Sequence, residues 1–293
     1  MLEQVLLAAI SAGLVATLVT VLIERYGGLV GGALGTVPST IIPAVIGMSL
    51  AQENADLMAS LSVVPLGMLA NAIFLSVWIY FPEMIPNLSS SKGLVATIFV
   101  SLLIWSLAGT SVILAVDELR KSLSSQEIAI AGVALTAVLG LSLGWKPRAT
   151  PPGTKKVSKS MLVARSLMAA TAIGISVWIA NLGYSLVAGL ASVFPAIFLT
   201  SMVALWVSQE ASVPRGAAAP MLLGGGSVGV YALLAMTTLD EFGLYTGSLV
   251  AWVVSVSCWS LPAYGYLRWR RSIVLANLDS NEPSVLRGQR SNR

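Results

Sequence analysis

The chain has 293 residues, 56% of them hydrophobic and only 10% charged, with a mean hydropathy of +0.84; a soluble domain carries about 25% charge, so a water-filled surroundings is excluded. The net charge of +4 comes from basic residues placed between apolar runs and in the tail, which argues against nucleic acid as a partner. There is no histidine and one cysteine, Cys258, so an internal disulfide is excluded and the commonest metal ligand and proton relay are missing.

Nine hydrophobic spans are predicted, at 5–24, 28–50, 60–81, 94–116, 128–145, 161–182, 184–207, 217–238 and 245–267. Each is about 18 residues or longer, enough to cross roughly 30 Å of hydrocarbon as a helix. A helix is expected because lipid offers the backbone no hydrogen-bond partner. The first span follows Met-Leu-Glu-Gln, which lacks a basic leader, and is read as retained.

The second span carries Gly27, Gly28, Gly31, Gly32 and Gly35, then Pro38 near its middle. The seventh carries Gly189 and Pro195. Shifting the first of these by 157 positions brings Leu29, Val30, Gly32 and Pro38 onto Leu186, Val187, Gly189 and Pro195. The same shift carries Gln52-Glu53 onto Gln209-Glu210 and Gly67 onto Gly224; Trp105-Ser106-Leu107 matches Trp259-Ser260-Leu261 at 154. Four spans thus correspond to four spans, with the fifth as a link. An odd number of crossings separates each helix from its counterpart, so the copies are expected to be inverted. The expected fold is an all-α integral membrane protein of two inverted-topology four-helix repeats, with helices 2 and 7 broken by proline and glycine. The divisions are 1–127 for the first repeat, 128–160 for the linking helix and basic loop, 161–271 for the second repeat, and 272–293 for a disordered tail. The loop Lys146–Ser160 is rich in turn residues and cations, as a linker should be.

Of the 17 basic residues, 15 fall on one side of this layout, including Arg25, Lys92, Lys159, Arg165 and Arg268; only Arg120 and Lys121 fall on the other. The positive-inside rule then places the C-terminus in the cytoplasm and the N-terminus outside. Arg268, Arg270 and Arg271 are suited to anionic lipid at that surface.

Paired interrupted spans in matching positions of two halves point to a transporter site near the bilayer midplane. Proline frees the carbonyl four residues back, and the next helical segment begins with exposed amides. The candidate substrate-binding residues are therefore Gly35, Thr36, Pro38, Ser39, Thr40, Asn71, Ser192, Pro195, Thr200 and Ser201. Gln52, Glu53, Gln209 and Glu210 are candidate gate or helix-end residues. Each segment is either a kinked span or a re-entrant hairpin.

No ionisable residue is read at mid-span, which disfavours proton or divalent-cation pathways. A neutral, zwitterionic or small anionic solute, or Na⁺ held by oxygens, fits better. No catalytic constellation can be assembled, so an enzyme is not expected. No cofactor motif, nucleotide-binding loop or metal site is read. The expected function is secondary transport by alternating access, with a channel or a non-transporting scaffold or receptor as the alternative. The partners are a small-molecule or ion substrate and membrane lipids; homo-oligomerisation is left open. The two-half plan is similar in outline to drug/metabolite and bile-acid-type carriers, although no motif in this chain assigns it to either.

Overall fold

Long apolar runs with few breakers fold as helices, and the computed structural model is helical almost throughout. It describes residues 1–26, 37–145, 159–209 and 212–281, with no strand among them. In chain order the helices are α1 (Leu2–Tyr26), α2 (Ile41–Ala51), α3 (Asn54–Met84), α4 (Ser90–Leu119), α5 (Ser125–Gly144) and α6 (Lys159–Asn181). The second half holds α7 (Ser185–Ser192), α8 (Ala196–Gln209), α9 (Ser212–Phe242), α10 (Leu244–Ser255), a π-helical turn (Val256–Ser260) and α11 (Leu261–Asn281). Eight stretches among the described residues are long and apolar enough to cross a membrane, with Ser185–Val207 and Leu244–Val274 each counted as one. This is the composition of a multi-pass membrane protein. The predicted span 28–50 lies partly outside the described residues, which contain its second part as α2. The polar stretch from Ser272 continues α11 as far as Asn281.

The helices run between two ends. Lys92, Lys159, Arg268 and Arg271 stand at one, the basic end; Arg120 and Lys121 stand at the other. α1 and α6 lie antiparallel. Thr20 meets Arg165, Thr17 meets Ser166, and Ala9 faces Gly174. α2 runs back along α1, because Ala16–Thr20 share a cavity with Ser39–Thr40 while Gln4 Nε2 donates to the Leu50 carbonyl at 2.7 Å. The described chain on either side of 27–36 therefore leaves one end of the bundle and reaches the other. A hairpin that returned to the Tyr26 end is excluded. The same holds for α7–α8: Ser185 bonds Asp56 at the opposite end, and the Trp206 indole bonds Ser90 at the basic end.

α3 is the central helix, with 83% of its apolar window buried against 17% for α4 on the periphery. It packs on α4, α5, α7 and α9. α9 lies antiparallel to it, with Gly229 over Pro65 and Gly225 over Met68. Pro65 interrupts the α3 ladder, and its carbonyl accepts a bond from Thr136 of α5 at 3.2 Å. α5 packs on both α3 and α9. At the head of α5, Ser124 and Glu127 bond each other's backbone amides reciprocally, which fixes the start of that helix.

Candidate functional site

Pro38 and Ser39 lie outside helix, and Thr40 is the N-cap of α2. The Ser39 amide turns back to the Val37 carbonyl at 2.9 Å. The Thr40 side chain caps none of the helix amides, and Pro43 in the first turn has none to cap. In the second half, α7 stops at Ser192 and α8 starts at Ala196. Pro195 supplies the first carbonyl of α8, accepting from Leu199 at 2.8 Å. Both Pro38 and Pro195 are buried.

Side chains from the neighbourhoods of the two prolines meet in one place. A cavity of about 70 Å³ is lined by Val37, Ser39 and Thr40, by Ile197 of α8, by Ala16, Val19 and Thr20 of α1, and by Arg165 of α6. Arg165 ties the lining together. One terminal nitrogen donates to Thr20 Oγ1 at 3.1 Å and the other to Ser201 Oγ at 2.6 Å. Ser201 in turn donates to the Ile197 carbonyl. The guanidinium lies six residues inside α6, about 9 Å from that helix's Lys159 terminus at 1.5 Å per residue. The sequence reading groups Arg165 with the cations flanking the spans. The fold instead brings its side chain between α1, α6 and α8, where it lines the cavity.

Of the candidate residues, Ser39 and Thr40 line this cavity and Ser201 borders it through Arg165. Thr200 and Ser192 are buried and turn their hydroxyls onto carbonyls of their own helices, Ala196 at 2.8 Å and Gly189 at 2.6 Å. Asn71 is buried elsewhere, on α3. Its Nδ2 donates to the Val193 carbonyl at 2.8 Å, between α7 and α8, and its Oδ1 accepts from the Trp105 indole at 2.8 Å. The Phe194 ring meets Trp105 edge-on, with centroids 5.2 Å apart. Asn71 thus supplies the donor that the non-helical segment needs and clamps α3, α4 and α7–α8 together. Gly35, Thr36 and Glu210 lie outside the described residues, as does the side chain of Gln209.

At the opposite end a second polar group forms across the halves. Ser60 Oγ lies 2.8 Å from the Ser185 carbonyl and 3.0 Å from Gln52 Oε1, so one proton faces two acceptors. Gln52 Nε2 is buried without a partner. Turning that amide would let Nε2 donate to Ser60 while Ser60 donates to Ser185. Ser185 Oγ donates to Asp56 Oδ1 at 2.7 Å. Glu53 beside this group is exposed. Below it α7 presses on α3, where the missing side chain of Gly189 makes room for the Ser60 carbonyl.

Two signals in the sequence mark these features but are easily passed over. Ser60 and Ser185 are small hydroxyls near span starts. Pro65 and Pro220 lie inside α3 and α9, the helices of the third span in each half. No protein-family model, curated protein or solved structure matches the chain.

Proposed function

We propose that the chain is a secondary-type transporter that moves a small solute by alternating access. The observation that carries this reading is the cavity shared by Val37, Ser39 and Thr40 from one proline-interrupted segment and Ile197 from the other. Discontinuous helices that start beside a common cavity are how many carriers hold a solute without a dedicated cage.

The reading treats the two halves as inverted repeats, with helices interrupted at Pro38 and Pro195. The pattern of contact supports it. α1 packs antiparallel on α6, α3 packs antiparallel on α9, and α5 touches both α3 and α9. Antiparallel packing of a helix on its counterpart is compatible with an approximate two-fold axis in the membrane plane. The matched tryptophans also act alike. Trp105 donates its indole N–H to Asn71 of α3, and Trp259 donates its own to the Leu223 carbonyl of α9.

The site is reached from the basic end in this reading, which the charge bias assigns to the cytoplasm. The opposite end is closed by Gln52, Ser60, Ser185 and Asp56. Opening there requires α7 to part from α3. The test is flux in proteoliposomes holding the purified chain, with a panel of neutral, zwitterionic and anionic solutes trapped inside or added outside. Saturable, counter-solute-stimulated flux supports carriage. Absence of both binding and flux across the panel refutes it.

A further inference from the structure

Independently of the carrier reading, we infer that the outer face of α11 binds the headgroup of an anionic phospholipid, with Arg268 and Arg271 holding its phosphate. The sequence sets Arg268, Arg270 and Arg271 close together, and the fold gives them different tasks. Arg270 turns toward α5. Its Nε donates to the Trp145 carbonyl at 2.8 Å, and a terminal nitrogen donates to the same oxygen. The guanidinium stands 4.1 Å from the Trp145 ring centroid and 5.5 Å from that of Trp269. Those contacts fasten α11 to the end of α5. Arg268 and Arg271 are both exposed. At i and i+3 of a helix they share a face, with Cβ atoms about 5–6 Å apart. That spacing lets two guanidinium forks grip one phosphate.

Depth selects the occupant. Arg268 lies within Leu244–Val274, a stretch long and apolar enough to cross a membrane. An exposed charge there is costly against hydrocarbon, and its flexible stem lets it reach the headgroups instead. The rings beside it mark the same level. Trp145 and Trp269 are each 53% exposed, and the Tyr266 ring lies 6.2 Å from that of Trp269. Amphipathic rings gather where bilayer meets water. One turn deeper than Arg268 the face is notched. No described atom lies within 4 Å of the position a Cβ would take at Gly265, and exposed Leu261 and Trp269 flank it. A pair of cations above an apolar notch fits a lipid, which brings acyl chains below a negative headgroup; a free phosphate would use the arginines alone.

The test is thermal unfolding of the full chain in neutral-detergent micelles, titrated with phosphatidylglycerol or, at equal mole fraction, with zwitterionic phosphatidylcholine. Phosphatidylglycerol should raise Tm saturably, and phosphatidylcholine should not. Arg268→Gln together with Arg271→Gln should weaken the apparent affinity about tenfold or more. Gly265→Phe, which fills the notch, should weaken it severalfold. Arg270→Ala should lower Tm without lipid yet keep the response. Lys92→Gln, which removes a cation of α4 at the same end, should leave the response unchanged. The inference is overturned if the two lipids stabilise equally, or if the double variant responds like wild type. It is also overturned if Lys92→Gln weakens binding as much as the double variant, or if glycerol 3-phosphate, a soluble fragment of the lipid, matches phosphatidylglycerol. Flux enters none of these readouts, so failure of the carrier leaves this site standing, and failure of the site leaves the carrier standing.

Discussion

Replacing Gly189 with alanine tests the closest helix approach on the proposed pathway. A Cβ at this position meets backbone rather than a movable side-chain tip: the Ser60 carbonyl carbon lies 2.8 Å away, its Cα 3.0 Å, and its oxygen nearer still. Ordinary contact begins at 3.4 Å, so α7 and α3 must part by about 0.6 Å to relieve the carbonyl carbon alone, and further for the oxygen. The same parting stretches the bond from Ser60 Oγ to the Ser185 carbonyl, now 2.8 Å, past the ordinary range for a hydroxyl donor. Overpacking of this kind costs ~1–3 kcal/mol. Weakening the Ser60 bond adds about 0.5–1.5 kcal/mol. Alanine's better helix propensity returns about 1 kcal/mol. The net expectation is a loss of roughly 0.5–3.5 kcal/mol. The assay is reversible denaturation in mixed micelles, followed by tryptophan fluorescence. Gly265→Ala is the control, because nothing lies within 4 Å of the Cβ it would add; it should be neutral or slightly stabilising. If Gly189→Ala proves as stable as Gly265→Ala, α7 does not press on α3 as described, and the closed opposite end loses its structural basis.

Asn71→Leu removes the donor to the Val193 carbonyl and the acceptor for Trp105; a loss of about 2–4 kcal/mol is expected, since two buried groups lose their partners, and an unchanged denaturation midpoint would contradict the clamp. Pro38→Ala and Pro195→Ala each allow a straighter helix, so flux in proteoliposomes should fall more than the yield of inserted protein; normal flux in both variants would remove the interrupted-helix site. Ser60→Ala deletes the hydroxyl shared by Gln52 and Ser185, which should raise labelling by a membrane-impermeant reagent of a cysteine placed at Ser185 in a Cys258→Ser background; unaltered labelling would mean that this network does not close the end. Arg270 donates to the Trp145 carbonyl at the end of α5 and lies 4.1 Å from the Trp145 ring centroid. Arg270→Ala should therefore cost about 1 kcal/mol, read by the same denaturation assay.

Membrane character was legible from composition, because 56% hydrophobic residues cannot be covered by polar surface. The long spans were legible for the same reason, although α3 starts at Asn54 rather than 60 and α11 runs on to Asn281, past the predicted 267. Pro195 lies just before α8 starts at Ala196, a position its missing N–H suits as a local property. What Asn71 does could not be read. Its partners, Val193 and Trp105, are 122 and 34 residues away, and only packing brings them together. Ser60 and Ser185 are likewise ordinary small residues until α7 crosses α3.

Arg165 marks the boundary most clearly. In the sequence it is one cation among several near the start of a span, set among apolar neighbours just inside it, whereas Lys159 lies in the basic loop before it. Only the antiparallel pairing of α1 with α6, and the approach of α8, decides that its side chain points among helices while Lys159 stays exposed. Hydropathy is a sum over neighbours in the chain, so the sequence alone determined that these segments are helices suited to lipid. Which hydroxyls surround the guanidinium depends on contacts between residues 36 to 145 positions apart, and that was decided by tertiary structure.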